Sequence, residues 1–183
     1  GRYALKGNTT GQENTGLGNA AGENITTGDY NTAIGSSSLA TATTASYNTV
    51  VGALALTANT SGSQNVSMGF RSMQDNTTGA ENVAIGYDAL NSNTTASKNT
   101  AIGDSALTLN TTGANNTAVG YHSLATNTTT ADSTAVGYRS LFANLGASNT
   151  ALGSDCLKTN STGANNTAVG KSAMDATTTG SEN

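Results

Sequence analysis

Aliphatic side chains recur along this chain at alternating intervals of 5 and 12 residues, with polar and small residues between them. An amphipathic helix would repeat them every three or four residues, and Asn, Thr and Gly, which fill the intervals, are poor helix formers. The pattern repeats as a block instead. The Gly of each Asn-Thr-Ala-aliphatic-Gly segment falls at Gly18, Gly35, Gly52, Gly69, Gly86, Gly103, Gly120, Gly137, Gly153 and Gly170. Every step is 17 residues except the 16 between Gly137 and Gly153. Such a fixed period is the mark of a repeat architecture. Gly1 continues the register backwards and Asn183 opens a further unit. Residues 1–183 are therefore expected to be a single repetitive segment of about ten units, taken from the interior of a longer protein.

The consensus unit reads Asn-Thr-Ala-Ile/Val-Gly-Tyr-x-Ser/Ala-Leu-x-x-Asn-Thr-Thr-Gly-Ala-x, numbered here as positions 1 to 17. Position 4 is always aliphatic or Met, and position 9 is Leu or Met except at Gly22. Positions 1 to 5 read as a short strand, on which successive side chains point to opposite faces. Positions 12 to 16 carry turn chemistry, with Gly available for positive φ and Asn tolerant of it. Position 9 is expected to anchor a second short strand. The short unit reads Asn144-Leu145-Gly146 where others read Asn-Thr-Thr-Gly, so its missing residue lies in the turn, where deletions are best tolerated.

The fold class that follows is all-β, a parallel β-solenoid or β-roll with one 17-residue rung per turn. Seventeen residues trace roughly 55 Å at about 3.3 Å each, and rungs pairing at about 4.8 Å would build a rod roughly 50 Å long. The side chains of positions 4 and 9 are expected inside. Asn at positions 1 and 12 would stack into amide ladders along the axis, as in other stacked parallel sheets. Such a core is thin. Positions 3, 5 and 8 are mostly Ala, Gly and Ala or Ser, and their columns are expected to form a small-residue face that packs against neighbouring copies of the chain.

Composition narrows the function classes. Charged residues are 10% of the chain, Pro and Trp are absent, and the formal net charge is -4. Disorder usually brings Pro and high net charge, and scattered Lys and Arg on a mildly acidic chain argue against nucleic acid or an anionic membrane as partner. No apolar run is long enough to insert into a membrane. A single cysteine, Cys156, rules out an internal disulfide framework, and a single histidine rules out a His-rich metal site.

The Asn-Thr-Ala-Val-Gly and Tyr-x-Ser-Leu columns, carried by segments such as Asn116 to Gly120 and Asn166 to Gly170, resemble the head repeats of trimeric autotransporter adhesins of the YadA-like kind. They resemble still more closely the repeats of phage tail fibre proteins. The resemblance covers the whole chain, which differs from the adhesin rungs by its longer Asn-Thr-Thr-Gly turn. It implies a left-handed roll, three chains side by side, and an extracellular, cell-surface or virion location.

Little in the chain points to catalysis or to a cofactor, and it is not expected to be an enzyme. The eleven acidic residues form no dyad in sequence and lack the nonapeptide of Ca²⁺-binding rolls. No phosphate-binding Gly motif stands in a strand-to-helix context. Cys156 lies in the Ala/Ser column, where a small buried residue is expected. The Asn-Thr-Thr segments match glycosylation sequons only because the turn recurs. The most distinctive residues are Phe70, Tyr87, Tyr121 and Tyr138, which share position 6 with Asp104 and Lys171 and should therefore face outward. Exposed stacked rings of this kind bind sugars or pack between subunits. Tyr121 and Tyr138, flanked by His122 and Arg139, form the candidate contact for a cell-surface glycan or protein receptor. The expected role is a structural and adhesive fibre shaft that presents a receptor-binding tip. The alternative is an ice-binding solenoid, for which Thr is abundant, but the adjacent Thr residues of positions 13 and 14 do not give the Thr-x-Thr spacing of one face.

Overall fold

A computed structural model describes all residues, 1–183, and contains ten strands and no helix. The strands are β1 Thr15–Leu17, β2 Thr32–Ile34, β3 Thr49–Val51, β4 Val66–Met68, β5 Val83–Ile85, β6 Thr100–Ile102, β7 Thr117–Val119, β8 Thr134–Val136, β9 Thr150–Leu152 and β10 Thr167–Val169. They form one parallel sheet in strict chain order. Thr100 pairs with Thr117 and Ile102 with Val119, a shift of one 17-residue unit. Across the short rung Thr134 pairs with Thr150, so the register absorbs the missing residue. The chain is thus a parallel β-solenoid of 17-residue rungs.

Each rung contributes one strand of three residues, and the rest is turn. The second strand expected at position 9 is absent. Its leucines sit instead in the left-handed region, at φ 50 for Leu56, φ 53 for Leu107 and φ 50 for Leu124. That conformation costs an L-residue roughly 1–2 kcal/mol. Full burial of a leucine side chain returns about 1.5–3 kcal/mol, and these leucines are completely buried. Positions 7 and 17 are left-handed as well, as at His122 (φ 54) and Asn115 (φ 58). The turns are nonetheless laddered. Of 116 backbone hydrogen bonds, 98 lie outside the strands, and most of these join successive rungs, as in Leu90 N–H to the Ala106 carbonyl and Thr77 N–H to the Thr94 carbonyl.

The interior corrects the sequence reading. Position 9 points inward as expected, but position 4 does not: Ile85, Ile102, Leu152 and Val169 are exposed and Val119 and Val136 only half-buried. Position 3 takes the inward place, with Ala84, Ala101, Ala118, Ala135 and Ala151 fully buried. Strand alternation allows only one of the two neighbours inside. The coil is so narrow that Ala at 3, Ala or Ser at 8 and Leu at 9 fill it. The small columns at 3 and 8 therefore serve the core and not contacts between chains. Position 5 serves rung stacking. Gly103 has φ +133, and a Cβ there would lie 2.7 Å from the carbonyl group of Gly120 in the next rung.

Two substitutions show how tightly the interior is filled. In rung four both small columns turn polar together, and Ser67 and Ser72 join hydroxyls at 2.6 Å. Gly22 replaces the position 9 leucine in the one rung where Ile25 replaces the position 12 asparagine. A Cβ on Gly22 would lie 3.0 Å from Ile25 Cδ1, so the isoleucine occupies the space that the leucine vacates.

The asparagine ladders form as expected and are buried. In the position 1 column, Asn48 Oδ1 accepts from both the backbone N–H and the side-chain amide of Asn65, at 3.0 and 3.2 Å. Each amide also donates across the rung, as Asn65 Nδ2 does to the Gly79 carbonyl at 3.0 Å. In the position 12 column, Asn93 Nδ2 donates to Asn76 Oδ1 at 2.7 Å and to the Ala96 carbonyl at 3.0 Å. Buried amides satisfied in this way fix the turns, because an unpaired one costs about 1–3 kcal/mol. The short rung interrupts this column, and the Thr130 hydroxyl donates to Asn127 Oδ1 in place of the next asparagine. At position 13 the threonine hydroxyls donate to the next rung, as Thr94 Oγ1 does to the Thr111 carbonyl at 3.1 Å.

Candidate functional site

With rungs stacked one residue column on another, any side chain that points outward meets its counterpart in the next rung. Position 6 follows the obligatory glycine and projects to solvent. Tyr121 and Tyr138 are each about half exposed (46% and 48%) and stack with ring centroids 5.6 Å apart and planes 8° from parallel. The structure thus brings together all four residues singled out in the sequence. His122 lies against Tyr121, with centroids at 4.1 Å and planes 15° apart. Arg139 sits 6.0 Å from the centre of the Tyr138 ring.

Sequence reasoning missed a fifth member. Phe142 occupies position 10, where every other rung carries a polar or charged residue or Ala. Its ring is parallel to that of His122 within 7° at 6.0 Å, and the Arg139 guanidinium lies 4.8 Å above it. The signal available was that Phe142 is the single aromatic of its column and follows Arg139 by three residues in the same turn. These five side chains line an open hollow of about 280 Å³.

Two other aromatic pairs offer internal comparisons. Phe70 and Tyr87 stack in the same column at 5.6 Å. There the neighbouring Arg71 is held by Asp88 through two bonds of 2.8 Å, a bidentate pairing that occupies the guanidinium. Tyr30 and Tyr47, at position 17, stack at 5.2 Å and 6°.

The second surface of interest is the outer face of the sheet. Position 4 forms a continuous aliphatic column from Leu17 to Val169, and position 2 lays a column of Thr beside it, interrupted by Val66 and Val83. The face spans nine strand spacings of about 4.8 Å and three residues of about 3.3 Å, roughly 430 Å². Its aliphatic half is a continuous stripe, exposed or half-buried, and the largest apolar patch of a protein surface is often functional.

Cys156 is fully buried and its Sγ lies 3.3 Å from the Ala168 carbonyl. Burial pushes its thiol pKa upward, opposed in part by a hydrogen bond to the Leu152 backbone. No group of three or more His, Cys, Asp or Glu side chains could hold a metal ion. No protein-family profile, curated protein or solved structure matches this chain.

Proposed function

We propose that this chain is part of a structural fibre shaft, mechanical rather than catalytic, that works outside the cell or on a virion and holds a receptor-binding tip away from its base. The observation that carries this reading is the outer face of the sheet. Ten rungs of similar sequence set an aliphatic or Met side chain at position 4 on the outer face, one above another, exposed or half-buried along the whole rod. A shaft needs reach and stiffness, and stacked rungs with buried amide ladders supply both. It also needs lateral cohesion, which an unbroken apolar stripe supplies when copies of the chain lie side by side in register. The number of copies, three, and a left-handed coil follow from the resemblance to trimeric adhesin and tail fibre repeats.

The magnitudes fit an assembly that strengthens with length. The aliphatic column makes up about half of that face, roughly 200 Å², and covering it at about 25 cal/mol per Å² contributes about 5 kcal/mol per chain. That is of the same order as the roughly 4–15 kcal/mol cost of association. The face is also about half the usual 800 Å² per partner. A segment of this length is therefore expected to associate in a concentration-dependent way, and a longer array more firmly.

A second reading, ice binding, is favoured by one specific feature. The same face pairs a threonine column with a methyl-rich column at regular spacing. The position 13 threonines do not contribute, because their hydroxyls are engaged with the next rung. Sedimentation equilibrium of the segment, beside an Ile85→Lys, Ile102→Lys, Val119→Lys variant, tests the two together. The shaft reading expects oligomers in the parent and monomers of unchanged β signal in the variant. A monomer that inhibits ice recrystallisation and loses that activity in the variant would replace it.

A further inference from the structure

The hollow beside Arg139 goes beyond what a uniform shaft requires. Positions 6, 7 and 10 vary from rung to rung, and here bulky aromatic and basic side chains fall together at all three, as Tyr121 and Tyr138, His122 and Arg139, and Phe142. At position 10, Ala125 is followed by Phe142, so a large ring stands one rung beyond a small buried residue. His122 fills part of the step, parallel to both Tyr121 and Phe142. The rings leave a space with apolar walls, phenol and imidazole groups at its edges, and one guanidinium beside it.

The charge in this space is not neutralised from within the chain. Arg139 makes no ion pair. Asp155, one rung beyond Arg139 in the same column, forms no ion pair with it and instead lies 3.5 Å from Lys158 of its own rung. Asp104, at position 6 two rungs before Arg139, accepts from the Ser105 hydroxyl at 2.7 Å. The contrast with the Phe70 and Tyr87 pair is informative, because there the same columns hold an aromatic stack with an arginine. Asp88 holds that arginine through two bonds, position 10 is Gln74 in the arginine's rung and Asn91 in the next, and no hollow forms.

From this geometry we infer that Tyr121, His122, Tyr138, Arg139 and Phe142 form a binding site for an acidic saccharide unit of a cell-surface glycan. The rings take the C–H face of the sugar, and the guanidinium takes its carboxylate in a two-bonded fork, for which a planar arginine is suited. The space is the size of a monosaccharide rather than of a strand or helix, which favours a sugar over a peptide segment. The inference does not rest on the shaft reading, because the site lies within one chain. In an assembled shaft the sites would act together, so a weak single contact would gain by avidity.

The test is titration of the isotope-labelled segment, followed by NMR, with sialyllactose and a glucuronate disaccharide beside neutral lactose and an acidic Glu-rich peptide. The expected result is saturable shifts confined to residues 121–142 with at least one acidic sugar, in the millimolar range or tighter, and binding at least tenfold weaker for lactose. Arg139→Gln should weaken the acidic sugar about tenfold or more, and Tyr121→Ser with Tyr138→Ser should abolish binding. Arg71→Gln should leave it unchanged. These side chains are outside the core, so an unchanged circular dichroism spectrum certifies each variant. Equal binding of lactose, binding of the peptide instead of the sugars, binding indifferent to Arg139→Gln, or no shift with either acidic sugar would each overturn the proposal.

Discussion

The exchange of Gly22 and Ile25 for the usual leucine and asparagine offers a quantitative probe of the core. Consider Gly22→Leu alone. The new side chain enters at φ +60, which its neighbours in the column tolerate, but its Cβ would lie 3.0 Å from both Ile25 Cδ1 and Leu5 Cδ2. Overpacking of this kind costs about 1–3 kcal/mol. Ile25→Asn alone removes a fully buried isoleucine and leaves a void beside Gly22, at a cost of about 2–4 kcal/mol by analogy with other large-to-small core changes. The double variant restores the consensus rung. Its leucine fills the space, and its amide finds the Asn8 side-chain oxygen below and the Gly28 carbonyl across the turn, as Asn93 finds Asn76 and Ala96. The expected coupling is therefore about 2–3 kcal/mol in favour of the pair, at the upper end for residues in contact. Because stability in stacked repeats is a sum of local terms, amide hydrogen exchange is the right assay. The Gly22, Asn24 and Thr32 N–H groups donate to the following rung and report this region directly. Additive single effects, or a double variant weaker than both singles, would refute the packing argument.

Further outcomes follow from the same geometry. Ala118→Ile, at an inward position, should destabilise the rod by about 1–3 kcal/mol, whereas Val119→Thr, one residue on, should change the folding free energy of the monomer by no more than about 0.5 kcal/mol; denaturant titration compares them. Gly103→Ala should cost about 1–3 kcal/mol or more in the same assay, from positive φ and from collision with the Gly120 carbonyl. Asn110→Ala should cost about 1–3 kcal/mol, because it removes the bonds to Asn93 and Gly113 and leaves the Asn127 amide short of an acceptor. Cys156 should resist thiol reagents at pH 7 to 8 while the rod is folded. Its raised pKa means less thiolate at any given pH, so labelling should appear only as the chain unfolds.

Much of this fold was legible because the period is strict. The 17-residue register, the inward leucines, the amide ladders and the tolerance of the short turn all follow from columns that repeat in line. The direction of position 4 was not legible. An aliphatic column and an alanine column adjoin on the strand, and hydrophobicity alone selects the larger side chain for the core. Only the width of the coil decides for Ala118 over Val119, and that width depends on the left-handed turns at positions 7, 9 and 17. Residues such as Leu107 and His122 give no local signal for that conformation. At the candidate site, the stacking of Tyr121 on Tyr138 could be read from their spacing of one period. Phe142 was marked only as the single aromatic of position 10, three residues after Arg139, because its contact with His122 crosses both a rung and a turn.

The central claim is that the outer face of the sheet holds copies of this chain together in register. Cysteine cross-linking tests it most directly. In a Cys156→Ser background, a shaft assembled as proposed places position 4 of one copy against position 4 of the next, so Val119→Cys should oxidise rapidly to a covalent dimer at concentrations where the segment associates. Lys98→Cys, at the exposed position 17, should not. Equal cross-linking at the two positions, or none at Val119→Cys while the segment sediments as a monomer at every concentration, would contradict the account.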